Sequence, residues 1–132
     1  MAVSAEYKAF VREQLEALGP VRIRAMFGGA GVYLDDFMFG LIAAETLYFK
    51  VDDQNRAAFE VEGQEPFVYQ PPPKDGQARK GVAMSYFEVP ERLYDEPEEL
   101  VIWARDALSA AMRAKSNAKT AGRKPKKRSG VK

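Results

Sequence analysis

Met26-Phe27-Gly28-Gly29-Ala30-Gly31, MFGGAG, sets three glycines in four consecutive positions. Such a run either cradles a phosphate or lets the chain turn tightly, and the two readings lead to different folds. A phosphate loop works because backbone N–H groups and a helix N-terminus converge on the anion. The dinucleotide fingerprint and the P-loop therefore both run strand, glycines, helix. Here Val21, Ile23 and Ala25 alternate with Arg22, Arg24 and Met26 before the glycines, and the strand-like GVYL comes after them. No Gly-Lys-Ser/Thr ending is present, and no acidic residue lies beyond a βαβ unit. Strand, glycines, strand reads as a turn or bulge, where glycine adopts positive φ or permits close backbone approach.

Working outward, residues 5–18 repeat Tyr7, Phe10, Val11, Leu15 and Leu18 at helical spacing, with Ser4 as N-cap and Gly19-Pro20 as the stop. Asp35-Asp36 is a turn pair ahead of FMFGLIAA, a third strand with apolar residues on both faces. A turn near Glu45-Thr46 leads into LYFKV. Short turns between successive strands imply an antiparallel meander, because a parallel crossover needs a dozen or more residues. Asp52 or Asp53 is expected to cap a short helix through Phe59, ending near Gly63. PFVY and VAMSYFEV read as two more strands, separated by the loop QPPPKDGQARKG. Asp95, Pro97 and Glu98 resemble a capping box. The final helix carries Leu100, Val101, Ala104, Leu108, Ala111 and Met112 on its apolar stripe, with Trp103 sealing the edge. The order α-β-β-β-β-α-β-β-α predicts an α+β fold: two layers, a mainly antiparallel sheet with helices on one face.

Composition narrows the function. The 132 residues suit one domain and a tail, and 46% are hydrophobic, enough for a core at this size. The absence of cysteine and histidine removes disulfides, thiolate nucleophiles, Cys-ligated zinc and the usual general base near neutral pH. No apolar stretch reaches the length of a membrane span, and no signal peptide is apparent, so the expectation is a cytoplasmic protein with no membrane contact. Asp35-Asp36 and Asp52-Asp53 have structural explanations as turn and cap residues, with no third oxygen ligand indicated for a metal. Ser85 reads as a sheet residue, without G-x-S-x-G around it. No enzymatic activity, cofactor or metal is expected.

Two surfaces remain. If Val21, Ile23, Leu47, Phe49, Ala83 and Phe87 point to the helices, then Arg22, Arg24, Tyr48, Lys50 and Tyr86 face the other way. Aromatic-plus-cation sheet faces stack single-stranded bases. An amphipathic sheet with Tyr and Lys at a wet surface gives the same pattern and is the favoured reading, while docking of a partner protein would use the same aromatics. The second surface is the tail. Residues 113–132 hold nine basic residues and no acidic one, leaving 11 basic and 19 acidic residues, a net of −8, in residues 1–112. The helix is expected to continue to about Asn117, with Arg113 and Lys115 complementing its C-terminus. The rest lacks the apolar residues needed to fold. Such a tail would bind DNA or RNA without sequence preference and in a salt-sensitive way, or serve simply as a solubilising end.

Taken in order, RAMFGGAGVYLDD, LYFKVDDQNRAAFEVEGQEPF and AMSYFEVPERLYDEPEELVIWARDAL resemble the N-terminal domain of the TfoX (Sxy) family, over essentially residues 5–112. The family's motif falls on Arg24, Met26, Phe27, Gly28, Gly29, Gly31, Tyr33, Tyr48, Phe49, Lys50, Asp52, Pro66, Phe67, Met84, Tyr86 and Pro90. The resemblance implies a small α+β domain of a bacterial cytoplasmic protein. It further implies positive regulation of natural competence genes alongside another DNA-binding regulator. The longer family members carry a C-terminal helical domain, so the resemblance is to the stand-alone form, with residues 1–112 as the domain and 113–132 as a disordered basic tail. Phe27, Phe49 and Phe67 are expected in the core.

The expectation is a non-enzymatic regulatory or adaptor domain that contacts another protein, such as a transcription regulator. A homodimer through an exposed edge strand is left open. The candidate interaction surface is Arg22, Arg24, Gly28, Gly29, Tyr33, Tyr48, Lys50 and Tyr86. The alternative is a direct, largely non-specific nucleic-acid binder using that face and the tail residues Arg113, Lys115, Lys119, Arg123, Lys124, Lys126, Lys127 and Arg128.

Overall fold

The computed structural model describes residues 3–26 and 28–122, with side chains described through Ala118. Helix α1, Ala5–Gln14, begins where the Ser4 hydroxyl accepts from the Tyr7 N–H at 3.1 Å. It is shorter than the apolar spacing predicts. Residues 15–18 leave the helix in a turn, with Leu18 N–H bonding Leu15 O, yet Leu15 stays fully buried. Strands β1 (Arg22–Met26), β2 (Gly29–Leu34), β3 (Phe37–Ala43) and β4 (Thr46–Lys50) then form a meander. Each connection is a two-residue hairpin turn, closed by the pairs Met26↔Gly29, Leu34↔Phe37 and Ala43↔Thr46. The backbone of each turn enters the left-handed region: Gly28 at φ +80, Asp35 at +54, and Ala44 and Glu45 at +52 and +59. Two-residue hairpins demand this twist. The glycine run is thus a hairpin turn running into a strand.

Helix α2, Arg56–Val61, follows β4, and strands β5 (Pro66–Tyr69) and β6 (Val82–Glu88) follow α2. The sheet order is β1-β2-β3-β4-β6-β5 with every pair antiparallel. Strand β6 is inserted between β4 and β5, which α2 connects across it. The N-cap of α2 is Asn55, not Asp52 or Asp53. Asn55 is buried, accepting from Asp52 N–H at 2.8 Å and donating to Lys50 O at 3.0 Å, while the Asp52 carboxylate accepts from Gln54 N–H. These bonds fold the polypeptide back before the helix starts, delaying it to Arg56.

A 3-10 helix, Glu91–Asp95, lies where the sequence suggested a cap, and α3, Pro97–Gly122, starts one residue after Glu96. Pro97 occupies its first position, where a missing N–H costs nothing, and Asp95 ends the 3-10 turn instead of capping α3. The buried face of α3 is Leu100, Val101, Ala104, Ala107, Ala110 and Ala111, whereas Met112 is 42% exposed. Small alanines let α3 approach β3 and β4 closely. Helix α3 passes residue 112 without a break, so its C-terminus lies beyond the expected Asn117.

The core fills the space between helices and sheet. Phe39, Phe49, Phe59, Leu47, Ile42, Leu93 and Leu100 are essentially inaccessible. A register shift after Val32 leaves Phe39 unpaired in β3, and its ring meets Phe49 at 6.0 Å between centroids. Phe59 joins the layers through Phe87 and Trp103, the latter edge-on at 4.8 Å. Trp103 seals the edge of the helix face as expected, its Nε1–H donating to Glu99. Phe27 lies outside the described residues, and Ala83, expected to face the helices, is exposed because β6 runs on beyond β4.

Candidate functional site: a methionine-lined cleft

Alternation along the strands puts Ile42, Leu47 and Phe49 against the helices and turns their neighbours Leu41 and Tyr48 the other way. A sheet with one face covered usually shows polar residues on its second face. Here that face instead holds a cleft of about 420 Å³ lined by Met26, Met38, Leu41, Phe67, Met84 and Tyr86, with Gly28, Gly29, Tyr69 and the β3–β4 turn completing it. Three of the five methionines in the chain meet there. Methionine's unbranched, polarisable side chain adapts to varied apolar partners. Among the described lining residues none carries an acidic or basic side chain.

Glycine permits this geometry. A Cβ on Gly29 would stand 2.3 Å from the Ile42 carbonyl oxygen, and one on Gly31 would meet the Tyr33 ring and the sulfurs of Met26 and Met38. Tyr86 is buried, and burial, followed by repulsion from Tyr33, pushes its hydroxyl up to about 12, so it stays protonated and donates to Met38 O at 3.3 Å. Arg24, two residues before Met26 on the same face of β1, brings a cation beside the cleft. Arg24 lies over the Tyr33 ring at 5.8 Å, and the loop joining β5 to β6 carries exposed Lys74, Arg79 and Lys80.

The sequence-predicted surface residues divide into groups. Gly28, Gly29 and Tyr86 line the cleft. Tyr48 is half-buried with its ring edge-on to Phe67 at 5.1 Å, which places Phe67 on the cleft side instead of in the helix-facing core. Arg22 is exposed and donates to Asp35 O at 2.9 Å. Arg22, Arg24 and Tyr33 stand on β1 and β2, whereas Lys50 and Tyr86 stand on β4 and β6. Four strand spacings separate β1 from β6, about 19 Å at the usual spacing, so these residues are not one continuous cationic platform. Lys50 donates from Nζ to Ser85 Oγ at 2.6 Å and lies 5.2 Å from the Tyr86 ring centre.

The first residues of the expected tail belong to the folded body. Arg113 forms a two-pronged pair with Asp52, Nε to Oδ2 at 2.6 Å and Nη2 to Oδ1 at 2.9 Å, clamping α3 to the turn after β4. This pair, with the Gln54 and Asn55 contacts, holds the Asp52 carboxyl below its ordinary range and raises Arg113. Lys115 lies 5.0 Å over the Phe37 ring. Neither complements a helix end, because α3 continues to Gly122. The Lys119 side chain and Arg123, Lys124, Lys126, Lys127 and Arg128 lie outside the described residues. Met38, Leu41 and Met84 were missed as site residues by sequence reasoning, although the two-sided apolar pattern of residues 37–43 was the signal that both faces of β3 are covered.

Six antiparallel strands with helices on one face and an apolar cleft on the other define a two-layer α+β domain. The chain belongs to the TfoX N-terminal domain family, whose model matches residues 13–111. It is similar to Protein Sxy of Escherichia coli (strain K12), 30% identical over 119 residues, which cover 89% of this chain and 54% of that protein. It is also similar to DNA transformation protein TfoX1 of Aliivibrio fischeri (strain ATCC 700601 / ES114), 30% identical over 94 residues, 71% of this chain and 42% of that protein. The chain thus spans about half the length of these relatives.

Proposed function

We propose that this chain is a non-enzymatic regulatory domain that acts by binding another protein in the cytoplasm, with the methionine-lined cleft as its docking site. The observation that carries this reading is the cleft itself, an apolar concavity on the sheet face turned away from the helices. Exposed Val82 and Met84 extend the apolar surface along β6. Kinship to Protein Sxy and to DNA transformation protein TfoX1 supports a role in controlling DNA uptake genes. The occupant is a partner segment with apolar anchors beside a carboxylate, because Arg24 shares a face of β1 with the cleft-lining Met26. Residues 1–112 are then the binding domain and 113–132 a basic stretch whose first cations, Arg113 and Lys115, pack on it.

A photo-activated cross-linker placed at position 84 in cells tests this. The expected product is one discrete conjugate whose partner peptide carries acidic residues beside apolar ones, lost when Met38→Glu puts a charge in the cleft. The same conjugate from position 102, exposed on α3, or none from position 84, would refute the cleft as the docking site. Transcript profiles of cells carrying Met38→Glu should match those of cells lacking the protein, with folding checked by circular dichroism.

A further inference from the structure

A second cavity, about 170 Å³, opens where α3 passes the end of the sheet, and Lys50 and Lys115 both line it. Met38 and Tyr86 line it as well, separating it from the methionine cleft. Among the described residues, neither lysine has a carboxylate within ion-pair distance. The carboxylate that bears electrostatically on Lys50, Asp52, has both oxygens engaged by Arg113. Lys50 is half-buried, and that burial lowers its affinity for a proton. A desolvated ammonium without an acidic partner is unfavourable unless an anion compensates it. Ser85 takes one of its three N–H groups, leaving two to donate, and the Lys115 ammonium lies over the Phe37 ring. Two cations carried by different elements therefore converge on one small, concave space.

We propose that Lys50 and Lys115 form a binding site for a backbone phosphate of a nucleic acid, toward the C-terminal end of α3. The choice of a nucleic acid over a single free phosphate rests on the cations beyond Lys115. Lys119 stands one helical turn further on, and the sequence then runs through Arg123, Lys124, Lys126, Lys127 and Arg128 without an acidic residue. A run of cations in the sequence directly after one phosphate-binding pair suits a polyanion with regularly spaced charges. Asp36, which also lines the cavity, sets a limit on affinity because its carboxylate repels the same anion. This inference stands independently of the protein-docking reading.

The test is a salt series of full-length protein binding a labelled mixed-sequence DNA duplex, monitored by fluorescence anisotropy. Lys50→Gln and Lys115→Gln should each weaken binding about three- to tenfold at low salt and reduce the slope of log K against log salt by about one. Asp36→Asn should tighten binding, and Arg12→Gln, an exposed change on α1, should do neither. Lys50→Arg keeps the charge and should retain the slope, which separates lost charge from lost folding. Absence of DNA binding at low salt overturns the proposal, as does binding that Lys50→Gln and Lys115→Gln leave at the wild-type slope. Competition by inorganic phosphate or capture by phosphatidylserine vesicles, without DNA binding, would reassign the site to a free phosphate or a lipid headgroup and equally overturn it.

Discussion

Replacing Gly29 with alanine adds one methyl group where β2 lies against β3. The new Cβ would stand 2.3 Å from Ile42 O, 3.4 Å from Ile42 C and 3.6 Å from Ala43 Cα, all backbone atoms that cannot rotate aside. Carbon and carbonyl oxygen approach to about 3.3 Å, so the strands must part by about 1 Å. That stretches a ladder hydrogen bond of ordinary length toward breaking, at roughly 0.5–1.5 kcal/mol for each of one or two bonds. Overpacking adds about 1–3 kcal/mol, and the stiffer unfolded chain returns roughly 0.4–1. The net is a destabilisation of about 2–4 kcal/mol, or a fall in Tm of roughly 6–15 °C for a chain of this size. Gly63→Ala is the control: its φ is +78 with nothing within 4 Å of a new Cβ, so it incurs only backbone strain of about 1–2 kcal/mol. Thermal melts by circular dichroism and urea melts by Trp103 fluorescence give both values. A Gly29→Ala protein that melts with the wild type, or no lower than Gly63→Ala, would refute the close-approach argument.

Phe59→Ala should destabilise by about 3–5 kcal/mol, because the ring is 1% exposed between Phe87 and Trp103. The single tryptophan reports it directly, through loss of near-ultraviolet dichroism and a lower urea midpoint. Asp52→Asn should cost about 1–2 kcal/mol at pH 7, since the pair with Arg113 is charge-assisted but about one-third exposed. Asp52 is held below its ordinary range, so its contribution is complete above the unfolded value of about 3.9 and is lost as pH falls through the folded value. Urea midpoints of wild type and Asp52→Asn should therefore converge toward acid pH; a gap that widens there would contradict the assignment. Tyr86→Phe should remove one late tyrosine ionisation, at about 12, from an ultraviolet pH-jump titration, and lower stability by roughly 0.5–1.5 kcal/mol through the lost bond to Met38 O.

The element order, the antiparallel meander and the structural character of MFGGAG were legible in the chain alone, because they depend on neighbours within a few residues. Side-chain period distinguishes helix from strand, and paired turn residues reverse the chain over two positions. Leu47 and Phe49 were legible as core, and Ser4 as a cap, for the same local reason. Capping went astray where long-range contacts compete: Asp52 serves Arg113, 61 residues away, as well as Gln54. The place of β6 between β4 and β5 was not legible, since packing makes that choice after α2 has crossed the sheet. Packing likewise gathered Met26, Met38 and Met84 into one cleft and brought Lys50 beside Lys115. Periodicity says which residues share a face, but cannot say which distant faces will meet; that is settled by burying Phe39, Phe49, Phe59 and Leu100 together, and the cleft and the paired lysines are consequences of that burial.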